Sequence, residues 1–82
     1  MLLNDTIIRN TKPAEKPIKL FDGKGLYLLL RPNAARWWRM KYSFDGVEKA
    51  LSLGVYPEVS LKQARERREK LRQLVADGID PL

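Results

Sequence analysis

The chain predicts an α+β fold, an antiparallel meander of three to four strands packed on one face by a C-terminal α-helix, with a short N-terminal helical turn. Three observations carry this expectation. Asp45-Gly46 sits between two runs of alternating apolar and polar residues, and Asp-Gly tolerates the positive φ that a two-residue hairpin turn requires at both positions. From residue 60 onward, apolar residues recur at helical rather than strand spacing. Between the two ends, short β-type runs are separated only by tight turns, which favours neighbours in sequence pairing in space.

Taken in order, Asn4-Asp5-Thr6 predicts a cap for a helical turn reaching about Asn10, anchored by Leu3, Ile7 and Ile8. Pro13 and Pro17 frame an irregular basic segment. Ile18–Phe21 reads as a short strand, Asp22-Gly23-Lys24-Gly25 as a plain turn, and Leu26–Arg31 as a second strand. That turn is not a phosphate-binding Walker loop, which needs Gly, four residues, then Gly-Lys-Ser/Thr opening a helix. Arg36–Leu53 forms the hairpin. Its turn sets a register in which Phe44 faces Val47, Tyr42 faces Lys49, Met40 faces Leu51 and Trp38 faces Leu53. Gly54–Pro57 closes the sheet region. Ser60 and Gln63 have capping-box spacing, and Gly78 with Pro81 supplies the helix stop. Leu61, Ala64, Leu71, Leu74 and Val75 gather on one side of that helix, with Arg67 and Arg68 bordering it. Its outward side is charge-balanced, and Glu66 and Glu69 argue against a DNA-reading helix. Arg65 and Arg72, on the flank, remain candidates for a phosphate contact.

Residues 1–82 form a single small domain, with 44% hydrophobic residues and neither cysteine nor histidine. Disulfides, zinc fingers and the usual nucleophilic triads are therefore excluded, and no cofactor or metal is expected. No apolar run is long enough to span a membrane, and the N-terminus does not read as a secretion signal. Asp22, Asp45, Glu48 and Glu58 have no spacing that predicts a paired-carboxylate site, so no enzyme activity is expected. The formal net charge is +6. It is uneven, since residues 1–53 hold ten Lys or Arg against five Asp or Glu, and residues 54–82 hold six against five. Excess cations on strands favour a polyanion.

Alternation along the strands puts Trp38, Met40, Leu51 and Leu53 on a core face. Trp37, Arg39, Lys41 and Ser43 fall on the other, opposite Ser52, Ala50 and Glu48. If Leu26, Leu28 and Leu30 face the core, Tyr27, Leu29 and Arg31 join that open face. Cations, aromatics and small polar residues on an uncovered sheet suit the DNA major groove, which admits a β-ribbon. The candidate DNA-binding residues are Tyr27, Arg31, Arg36, Trp37, Arg39, Lys41, Ser43 and Ser52.

The chain resembles the N-terminal arm-type DNA-binding domain of phage and prophage integrases of the tyrosine recombinase family. The matching features are Asp22–Leu28, Trp38-Arg39-Met40-Lys41-Tyr42 and Leu51–Pro57, then Ser60-Leu61, Ala64-Arg65 and Gly78-Ile79-Asp80-Pro81, in the family's order and spacing. The resemblance implies binding of double-stranded DNA at arm-type attachment sites through the open sheet face, in support of site-specific recombination. It assigns the outward role to Tyr27, Arg31, Arg39, Lys41 and Ser43. Leu29 departs from the family's pattern, in which a polar or charged residue is more usual. It further implies core-binding and catalytic domains absent from this chain, which reads as an excised domain or, alternatively, a truncated product. The expected location is the bacterial cytoplasm, at the nucleoid when bound. The second reading is a protein-interaction module contacting other integrase subunits or an accessory factor. No membrane or small-molecule partner is expected.

Overall fold

The computed structural model describes residues 2–82. Six elements follow one another: α1 (Asp5–Asn10), β1 (Ile18–Gly23), β2 (Leu26–Leu30), β3 (Arg36–Phe44), β4 (Val47–Val55) and α2 (Leu61–Ala76). The strands form one antiparallel sheet in the order β1-β2-β3-β4, the expected meander with four strands. No helix among the described residues is long and apolar enough to cross a membrane.

Each element starts and stops where local chemistry dictates. Asn4 is extended, and its side chain accepts the Ile7 amide at 2.8 Å, which caps α1 and sends Ile8 into the core. At the other end, Ser60 and Gln63 close a full capping box on α2. The Gly78 amide donates to the Val75 carbonyl and Ile79 to Leu74, a Schellman stop in which Gly78 has φ 79°.

Asp45 and Gly46 take φ values of 51° and 75°, as the tight hairpin turn requires. The register runs as expected from Phe44↔Val47 through Tyr42↔Lys49 to Met40↔Leu51 and Arg39↔Ser52. There it departs from expectation. Trp38 pairs with Gly54 rather than Leu53, because a bulge adds one residue to β4. The extra residue keeps Leu53 buried and also turns Gly54 inward, where a Cβ would lie 2.5 Å from Val59 Cγ2.

The core lies between one sheet face and the helices. Leu26, Leu28, Trp38, Met40 and Leu53 pack against Leu3, Ile8, Val59, Leu61 and Ala64. Trp38 is fully buried, and its indole Nε1 donates to the Val59 carbonyl at 2.7 Å, so its single polar atom is satisfied.

Candidate nucleic-acid interface

The opposite sheet face is open to water. Strand pairing aligns its outward side chains into four rows across the sheet. The first row is Lys19, Leu29, Trp37 and Val55, and the second is Phe21, Tyr27, Arg39 and Ser52. Lys41 with Ala50 and Ser43 with Glu48 follow on the projecting hairpin. Phe21, Trp37, Lys41, Ser43, Ser52 and Val55 are all exposed.

Aromatic rings hold several of the cations. Lys19 and Lys41 stand 5.5 and 6.0 Å from the Tyr27 ring centre, and the Arg31 guanidinium lies 5.1 Å from that of Trp37. Among the described residues, no carboxylate pairs with Lys19, Arg31, Arg39 or Lys41.

Several cations elsewhere are neutralised, although Lys62, Arg67 and Lys70 on α2 have no carboxylate partner among the described residues. Asp22 is fully buried at the end of β1, where its two oxygens accept from Arg65 at 2.8 and 2.9 Å, from Arg68 at 3.1 Å and from the Leu3 amide at 2.8 Å. The Arg65 guanidinium holds this carboxyl below its ordinary value, outweighing the upward push of burial. Glu69 pairs with Arg68, Arg72 and Lys24. Arg65 and Arg72, expected as phosphate candidates, are thus engaged within the molecule. The unneutralised positive charge on the sheet is concentrated on its open face.

Seven of the eight candidate residues sit on or beside this face, though not all are accessible. Arg31, Trp37, Lys41, Ser43 and Ser52 are exposed and Arg39 is half-buried. Tyr27 lies on the face but is only 4% exposed, covered by Phe21 at 5.6 Å and by the two lysines, so it forms a floor on which cations rest. Arg36 alternates to the core side, with its guanidinium 6.0 Å from the Tyr56 ring centre and its Nε buried without a partner. Sequence reasoning missed three members of the surface, one of them Val55, which the bulge in β4 turns outward opposite Trp37. Lys19 and Phe21, on an edge strand, belong to it by their registers with Leu29 and Tyr27, and alternation along Ile18–Phe21 was the available signal.

A second cluster fixes the hairpin from behind. The Tyr42 hydroxyl donates to Asp80 Oδ1 at 2.8 Å and Lys49 binds Asp80 Oδ2, which ties the segment after α2 to β3 and β4. Desolvation, aided by the Asp80 carboxylate, pushes the Tyr42 phenol up to about 12. Asp80 is itself held below its ordinary value, first by Lys49.

Residues 3–82 match the family model described as the arm DNA-binding domain. The integrase of Shigella phage Sf6 is 41% identical over 75 residues, covering 92% of this chain and 20% of that protein. The integrase of Enterobacteria phage P4 is 42% identical over 83 residues, covering 99% and 19%. Putative protein IntB of Escherichia coli (strain K12) is 48% identical over 56 residues, covering 68% and 14%. The chain spans a fifth or less of the length of these curated relatives.

Proposed function

The chain belongs to the arm DNA-binding domain family found in phage and prophage integrases, and from that premise we propose that it binds arm-type attachment-site DNA through the open face of its sheet, in support of integration. The observation that carries this reading is the segregation of charge. Among the described residues, Lys19, Arg31, Arg39 and Lys41 have no carboxylate partner and share one uncovered sheet face, whereas on α2 Arg65, Arg68 and Arg72 are paired and the free Lys62, Arg67 and Lys70 alternate with Glu66 and Glu69.

A duplex entering from this side meets cations already positioned by aromatic rings, so less side-chain entropy is lost on binding. Lysines at the margins settle on phosphates, and their contacts supply affinity without sequence information. Arg39, near the centre of the face, is placed to reach a guanine edge in the major groove. Ser43 and Ser52 offer adaptable hydroxyls beside it. Catalysis has no part in this role. Strand exchange belongs to other portions of an integrase, and this chain contributes placement on the arm.

Fluorescence anisotropy with duplexes from the flanks of the native attachment site tests the reading. Lys41→Ala should weaken every duplex about equally and reduce the log–log salt slope by about 1. Arg39→Ala should cost about 1–3 kcal/mol on the native duplex and narrow its advantage over a scrambled one. Binding that is insensitive to salt and to both substitutions would remove the sheet face from the interface and favour a protein partner.

A further inference from the structure

We infer that Leu29, Trp37 and Val55 form a subsite that reads thymine methyl groups at one end of the bound DNA. The inference rests on the open face being a major-groove surface, and adds to it a base preference with a direction.

These three side chains are cross-strand partners on consecutive strands, Leu29 with Trp37 and Trp37 with Val55. With strands about 4.8 Å apart, they make a continuous apolar strip roughly 10 Å long. The strip is on the water side of the sheet. Trp37 is 36% and Val55 42% exposed, while the core is built from the opposite face. The Arg31 guanidinium over the Trp37 ring fixes that ring in place and leaves a cation beside the strip. The second row mixes Phe21 and Tyr27 with Arg39 and Ser52, and the two hairpin rows carry Lys41, Ala50, Ser43 and Glu48, so three adjacent apolar side chains occur in the first row alone.

Base edges in the major groove present donors and acceptors, and the 5-methyl of thymine is the apolar group among them. An apolar strip pressed against a cytosine amino group or a guanine oxygen leaves that group desolvated and unpaired. Against thymine it buries a methyl. The strip therefore selects thymine both by attraction and by the penalty on alternatives. Two residues along a strand advance about 7 Å, so these thymines lie about one to two base-pair steps from the base pair under Arg39. The site has a thymine end and a guanine end.

The test begins with selection of bound duplexes from a pool randomised over 20 or so base pairs. Thymines of the winning duplex are then replaced one at a time by deoxyuridine, which pairs identically and lacks only the methyl. At the thymine end, each replacement should weaken binding by the unmodified chain roughly fourfold, the equivalent of one buried methyl group. In Leu29→Ser or Val55→Asn, the preference for thymine over uracil should shrink at the position that the altered side chain covers, because a polar side chain there no longer buries the methyl. Enrichment of a site whose thymines all tolerate uracil overturns the methyl-reading subsite while leaving the DNA-reading face standing. A pool that never enriches overturns the face itself. The uracil series uses the natural chain, so a variant that fails to fold does not decide the outcome.

Discussion

Asp22 and Tyr42 lie behind the open face, and each holds it in place through a bond to a distant segment. Asp22 joins the end of β1 to Leu3, Arg65 and Arg68 with no solvent exposure of its own. Asp22→Asn leaves two guanidiniums facing a neutral amide. It should cost about 3 kcal/mol in urea unfolding, near the lower end for breaking a buried pair because Arg65 keeps partial contact with water. The folded pKa of Asp22 lies below its ordinary 3.8. Its contribution is therefore complete above about pH 4 and is lost as pH falls through the depressed value. Acid unfolding of Asp22→Asn should accordingly be shallower than that of the natural chain in this window. Tyr42 works in the opposite pH range. Its pKa is raised to about 12, so its contribution is present below pH 10 and disappears as pH rises through the folded value. In a spectrophotometric titration Tyr42 should ionise late, and Asp80→Asn should bring it earlier. An unchanged titration in that variant would contradict the role assigned to Asp80.

The β3–β4 hairpin and the β1–β2 turn show how much an element tolerates. Gly46, at the hairpin tip, has open space where a Cβ would stand, so Gly46→Ala meets only the positive-φ penalty of about 1–2 kcal/mol. Gly25 has a comparable φ of 88°, but its Cβ would stand 2.2 Å from the Lys41 carbonyl oxygen, beside the 2.8 Å bond from the Lys41 amide to Gly25. Gly25→Ala should cost more than about 3 kcal/mol and displace Lys41. Comparing the two thermal unfolding midpoints checks this difference. The hairpin register was legible in sequence up to Arg39 and Ser52, because alternation and the Asp-Gly turn are local signals. The bulge beyond them was not. It depends on Val59 and α2 occupying the space that receives Gly54, a tertiary demand that strand periodicity does not carry. The capping box and the glycine stop of α2 were legible for the same local reason as the turn.

Across the whole molecule, one sheet separates two kinds of surface. The core side carries α1, α2 and the apolar contacts, and the open side carries cations free of carboxylates. Which face each strand residue takes was readable from alternation for Arg31, Trp37, Arg39, Lys41, Ser43 and Ser52. Accessibility was not readable for Tyr27, since its covering residues, Phe21, Lys19 and Lys41, come from the two flanking strands. The neutralisation of Arg65 was equally hidden, because Asp22 lies far from it in sequence and reads locally as a turn residue. The most direct test of the account is an NMR titration of the isotope-labelled chain with an attachment-flank duplex and a scrambled duplex at two salt concentrations. Shifts are expected at Lys19, Leu29, Arg31, Trp37, Arg39, Lys41 and Ser52, larger for the native duplex and reduced by salt, with Lys62, Glu66 and Gln73 on α2 unmoved. Shifts centred on α2, or none at low salt, would contradict it.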